Sequence, residues 1–139
     1  MLRLEHLNLF VKDIPTSLRF YQAAMPHWRI RCEGQGDWYG TPRRWIHFGD
    51  DDTYLALSDN GSGSNRDLTS NTIGLAHFAF EVGSLDAVMA RLRQAGFEPD
   101  DLGAQEPFRR NVYYIDPDGF EVEFVQYLSD VPEQRNLSR

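Results

Sequence analysis

A chain of 139 residues with 41% hydrophobic and 13% aromatic content carries enough apolar side chain for one substantial core, as a single compact unit or two small halves. A formal net charge of −7 disfavours nucleic-acid phosphate as a partner, and the basic pairs Arg43–Arg44 and Arg109–Arg110 are too small to make such a surface. No apolar run approaches a bilayer-spanning length, and Cys32 is the single cysteine, so no intrachain disulfide forms; a cytoplasmic protein without a membrane partner is expected.

Residues 4–11 (LEHLNLFV) alternate as a strand with Leu7 and Leu9 on one face and His6 on the other. Residues 13–25 open with Asp13 near a proline and space Leu18, Tyr21 and Met25 helically, which predicts a capped amphipathic helix ending before Pro26. Extended segments are expected near 28–33, 36–39, 43–48 and 53–58, divided by glycines and the acidic turn at 50–52. Residues 60–72 are small and polar, the composition of a connector. A strand at 74–82, a helix at 84–95 with Leu85, Val88 and Leu92 on one face, strands near 97–100 and 111–116, the turn Asp116–Gly119 and a last strand at 120–127 follow. The expected organisation is a βαβββ module over 1–59, the connector, a second βαβββ module over 73–128, and a tail over 129–139.

The second module repeats the first. LEHLNLFV aligns on LAHFAFEV (75–82), which places His77 on His6, and IHFGDDDTYLAL (46–57) aligns on YYIDPDGFEVEF (113–124), which places Glu123 on Ala56. Strand parity then directs His6, Ala56, His77 and Glu123 away from the helices, because each alternates with helix-facing apolar neighbours. Either histidine alone would be read as a buried side chain bonded to backbone. As a symmetric set, two imidazoles and one carboxylate suit a divalent metal, with the vacancy at Ala56 leaving coordination sites open. His27 has the setting of a structural residue, and the pattern does not fix the face of His47.

These residues resemble the vicinal oxygen chelate superfamily, which includes glyoxalase I, extradiol dioxygenases, fosfomycin-modifying transferases, methylmalonyl-CoA epimerase and bleomycin-binding proteins. The resemblance spans residues 2–127 and rests on LEHLNLFVKDIPTSLRFYQ, GLAHFAFEV and YYIDPDGFEVEFVQ. It implies an α+β fold in which two βαβββ modules form an open cup of mixed sheet, with His6, His77 and Glu123 at the metal-ligand positions, and it implies a homodimer whose cup is built within one chain or between two. Glyoxalase I carries a glutamate where this chain has Ala56. Fosfomycin-modifying transferases carry a lysine before the last hairpin, whereas this chain has none after Lys12.

The resemblance therefore implies a metal-dependent enzyme acting on a small molecule through two neighbouring oxygens, with an extradiol-type dioxygenase as the leading reaction. A transferase, a lyase or an isomerase is the alternative. Fe(II) or Mn(II) is expected ahead of Zn(II) or Ni(II). Tyr113, placed like a site-lining tyrosine of relatives, is the candidate hydrogen-bond donor to substrate, and Glu121 the candidate proton acceptor. Asn8, Tyr54 and Ser58 share the ligand-facing parity. Trp38, Tyr39 and Trp45 supply an aromatic wall, and Arg109 with Arg110 supplies charge for an anionic group. A metal-free binding module that sequesters an apolar compound against those aromatics is the rival from a different class.

Overall fold

In the computed structural model, which describes residues 1–104 and 106–137, the chain divides into two compact units, Met1–Ser64 and Asn65–Arg139. Unit one contains β1 (His6–Phe10), α1 (Ile14–Ala24), β2 (Arg29–Trp38), β3 (Thr41–Gly49) and β4 (Tyr54–Ser58). Its sheet runs β1-β4-β3-β2, with β1 parallel to β4 and the remaining pairs antiparallel. Unit two contains β5 (Phe78–Glu81), α2 (Leu85–Gln94), β6 (Arg109–Ile115), β7 (Glu121–Tyr127) and the single turn α3 (Pro132–Arg135). Its sheet runs β5-β7-β6, again with the first pair parallel and the second antiparallel.

Local chemistry sets these boundaries. The Asp13 carboxylate accepts from the backbone N–H and the hydroxyl of Thr16, satisfying one of the orphan donors at the start of α1. Ser84 does the same for α2 through Ala87 N–H. Gly96, at φ +93°, ends α2 with a hydrogen bond from Phe97 N–H to Leu92 O at 2.8 Å, a conformation that favours glycine. The apolar faces then pack onto the sheets. Ile14, Phe20 and Tyr21 are buried with Leu9, Leu55 and Leu57 in unit one, and Leu85, Val88 and Leu92 with Val122 and Phe124 in unit two. Among the described residues, no helix is long and apolar enough to cross a membrane.

The hydrogen bonds from Thr16 hold the Asp13 carboxyl below the usual carboxylate range. A carboxyl lowered in the folded state contributes stability that is complete above the unfolded pKa and is lost as pH falls through the folded value. Asp13→Asn keeps an acceptor at the cap but cannot titrate. The variant is therefore expected to show a shallower loss of stability between pH 5 and pH 2 in urea titrations than the parent chain.

Four segments depart from the sequence expectation, the first being the strand expected at 74–82, which is confined to Phe78–Glu81 and leaves His77 just before it. The two expected strands at 28–33 and 36–39 are one continuous strand, β2, with a register shift between Ile30 and Cys32. The strand expected at 97–100 is reduced to an isolated bridge between Asp101 and Tyr113. Pro99 has no N–H to offer a ladder, and Gly103, at φ +75°, turns the chain away after three hydrogen bonds to the backbone of Tyr113, so unit two is βαββ plus that bridge. Within the expected tail, the Arg135 guanidinium lies 3.8 Å from the centre of the Tyr127 ring and 3.2 Å from Glu81. Residues 138 and 139 of that segment lie outside the described residues. The connector is tied down by polar groups: Asn65 donates to Gly119 O, and Arg66 to Thr72 O and Ser70 O.

Candidate metal and substrate site

In unit two the register pairs Glu123 with Ala79 on one side and with Tyr113 on the other. Pleating sends Glu123 to the face opposite Val122 and Phe124, which are fully buried in the core. His77 stands at the mouth of β5, with Nε2 at 3.2 Å from Glu123 Oε2 and Nδ1 at 3.7 Å from Glu121 Oε1. Tyr113 packs its ring edge-to-face on His77, centroids 5.4 Å apart. Burial, followed by the charges of Glu123 and Glu121, pushes the Tyr113 phenol above its ordinary pKa. It is therefore a protonated donor at neutral pH. The Glu123 carboxylate is 9% exposed, and its Oε1 accepts from Asn111 Nδ2 at 3.0 Å.

The same face of unit one is a stack of rings. His6 lies flat on Tyr54, centroids 4.5 Å apart, and Tyr54 lies on His47 at 4.4 Å. Trp45 meets His47 at 4.9 Å, and Cys32 Sγ sits 3.3 Å from His47 Nδ1. The His6 Nδ1 atom is 2.8 Å from Glu5 Oε1. Asn8 and His47 both pair with Ala56, so that small side chain occupies the position Glu123 holds in the other unit. Burial, then the charges of His6 and Arg31, lower the His47 pKa.

His47 is a site-facing residue that the sequence pattern did not reveal. Four residues, Asp50 to Thr53, join the paired ends of β3 and β4, whereas five, Asp116 to Phe120, join those of β6 and β7. An ungapped overlay sets His47 against Tyr114, a core residue, yet the ladder makes it the counterpart of Tyr113. Asn111 was missed as well. Its signal was parity alone, two residues before Tyr113 on one strand.

Two of the expected residues stand apart from the others. Tyr39 is 93% exposed at the β2–β3 turn with φ +53°. Arg110 lies one residue out of phase with Asn111 and Tyr113, on the helix side, where its guanidinium binds Asp86 of α2 at 2.8 Å. Arg109 keeps the site-side parity and stands 3.5 Å from Glu106. Trp38 meets Phe10 edge-on at 5.7 Å, in unit one. Among the described residues, no group of three or more His, Cys, Asp and Glu side chains is drawn together closely enough to hold an ion. Of the three residues expected to ligate a metal, His77 and Glu123 have side chains that meet, Nε2 to Oε2 at 3.2 Å.

Known proteins carry the same organisation. The model of the Glyoxalase/Bleomycin resistance protein/Dioxygenase superfamily matches residues 3–124. No curated protein sequence matches the chain. Among solved structures, the chain is similar to a glyoxylase/bleomycin resistance protein/dioxygenase domain from Frankia sp. EAN1pec, at 27% identity and TM-score 0.71, covering 91% of this chain and 98% of that one. It is similar to a glyoxalase family protein from Bacillus cereus at 16% identity and TM-score 0.74, covering 93% and 96%. It is also similar to the fosfomycin resistance protein FosX from Listeria monocytogenes, complexed with Mn(II) and sulfate, at 22% identity and TM-score 0.67, covering 97% and 98%. The last two likenesses carry the fold alone.

Proposed function

Because the chain belongs to the Glyoxalase/Bleomycin resistance protein/Dioxygenase superfamily, we propose that it is a divalent-metal-dependent enzyme acting on a small molecule with two neighbouring oxygens. The observation that supports this most is the approach of His77 Nε2 to Glu123 Oε2 at 3.2 Å on the face turned away from the helices. An imidazole and a buried, hydrogen-bonded carboxylate at that distance are a fitting donor pair for Fe(II) or Mn(II), with Zn(II) and Ni(II) behind them. His6 is the third donor in this reading, brought from unit one of the same chain or of a second copy in a homodimer. Ala56 adds none, so a substrate has room beside the ion.

A divalent ion held there supplies Lewis acidity toward the substrate oxygens and, as iron, reactivity toward dioxygen. The protein groups do the rest. The Tyr113 hydroxyl donates a hydrogen bond to a substrate oxygen, and Glu121 accepts a proton. Asn8, Trp45 and Tyr54 flank the substrate, with Trp38 at the rim and Arg109 available to an anionic substituent. Extradiol-type ring cleavage is the favoured reaction. Nucleophilic opening of an epoxide, the transferase alternative within the same superfamily, is the second reading.

Anaerobic purification with elemental analysis, then assays of the Fe(II) form with catechols and of the Mn(II) form with epoxide and thiol, separates these readings. Oxygen uptake that requires Fe(II) and is lost in His77→Ala supports ring cleavage. Turnover only with Mn(II) and an epoxide moves the chain to the second reading. Tight binding of an apolar compound that ignores chelator, with neither reaction, contradicts both.

A further inference from the structure

We propose that Asn111 is the positioning residue for Glu123, and that Gly103 is the notch that makes this possible. A carboxylate accepts hydrogen bonds and donates none, so the Asn111 amide must turn Nδ2 toward Glu123 Oε1, the 3.0 Å contact observed. This ties down one carboxylate oxygen and leaves the other, Oε2, facing His77 Nε2 at 3.2 Å. Nδ2 also lies 3.4 Å from the Tyr113 hydroxyl, so one amide touches both neighbours of the candidate site.

The orientation has a cost that identifies its purpose. With Nδ2 committed, Asn111 Oδ1 is buried and meets no hydrogen-bond partner among the described residues, an arrangement that native interiors seldom keep without a reason. The loop carrying the Asp101–Tyr113 bridge accommodates it only because residue 103 has no side chain. A Cβ built on Gly103 would stand 2.2 Å from Asn111 Oδ1, 2.7 Å from its Cγ and 2.7 Å from the Asn111 backbone oxygen. Any other residue there displaces the amide and, with it, the carboxylate. The chain of contacts runs from Gly103 to Asn111 to Glu123 to His77, entirely within unit two.

As it concerns an ion, the inference rests on the function proposed above, and Mn(II) itself is the probe. Groups that orient a metal-binding carboxylate typically contribute about 10–100-fold in affinity. Asn111→Ala is expected to weaken Mn(II) binding by about that factor, read by electron paramagnetic resonance, with its circular dichroism unchanged. Where Asn111→Ala does not fold, Asn111→Leu takes its place, since it keeps the volume, loses the donor and adds no charge. Gly103→Ala is expected to weaken binding similarly in the parent and to add a clearly smaller loss in the Asn111→Ala background, because the contacts with Oδ1 and Cγ are then gone and only the one with the backbone oxygen remains. Backbone strain at φ +75° persists in both backgrounds and lowers stability in both.

Parent-like Mn(II) affinity in a folded Asn111 variant overturns the inference, as does a Gly103→Ala loss that persists undiminished without the amide. If the parent itself takes up no divalent ion, the proposed function fails and the metal-free protein decides the inference. The imidazole nitrogen-15 shifts of His77 at fixed pH should then move in Asn111→Ala and stay in place in Ser84→Ala. Unmoved shifts in the Asn111 variant overturn it.

Discussion

Glu123→Gln is expected to lower divalent-ion affinity by more than about 100-fold, beyond the loss typical of a merely supporting residue, while the chain stays folded. The substitution keeps the side-chain volume and one oxygen. The two amides can pair either way round, Asn111 Nδ2 donating to the glutamine oxygen as it now does to Glu123 Oε1 or Asn111 Oδ1 accepting from the glutamine NH2. In both arrangements the side chain offers the ion a neutral group in place of an anionic oxygen. Metal-free stability should be unchanged or higher, since a buried charge at a 9% exposed position is removed and its hydrogen bond is kept. Isothermal titration with Mn(II), alongside urea denaturation of the metal-free form, separates the two effects. Parent-like affinity in Glu123→Gln would remove the carboxylate from the donor set.

Phe124→Ala should act in the opposite way, through the fold. Phe124 is fully buried next in sequence to Glu123 and points to the other face, where its ring lies 6.1 Å from that of Phe80 and 6.0 Å from that of Tyr114. Emptying that space removes transfer free energy and leaves a cavity, a loss of about 3–5 kcal/mol for a buried aromatic ring. Marginal native stability makes this a large fraction of the total. The urea midpoint should fall steeply, and any loss of ion binding should track the unfolded fraction. A midpoint within experimental error of the parent's would mean that Val122, Phe124 and α2 do not form the core of unit two.

Periodicity made much of this legible before any coordinates. His6, His77 and Glu123 stand out because strand parity has a period of two and the repeat carries it twice, and Asp13 marks the start of α1 by side-chain chemistry. What failed depended on single-residue differences in connections. One extra residue in the β6–β7 turn hid the kinship of His47 with Tyr113, and Pro99 with Gly103 dissolved an expected strand into a bridge. Tyr39 has an aromatic side chain but a left-handed backbone at a turn, and composition does not reveal that. Arg110 sits beside Arg109 in sequence, yet alternation puts them on opposite faces. Asn111 was invisible for a related reason, because its partner Glu123 is reached across a ladder and not along the chain.

The superfamily membership and the His77–Glu123 pair lead to one direct measurement, the count of nitrogen donors on a bound ion. With Cu(II) as a spectroscopic stand-in, electron paramagnetic resonance of the parent should show hyperfine coupling to two imidazole nitrogens. One coupling should vanish in His6→Ala and the other in His77→Ala. Both couplings surviving in His6→Ala, or no imidazole coupling at all, would contradict the metal centre proposed for this chain.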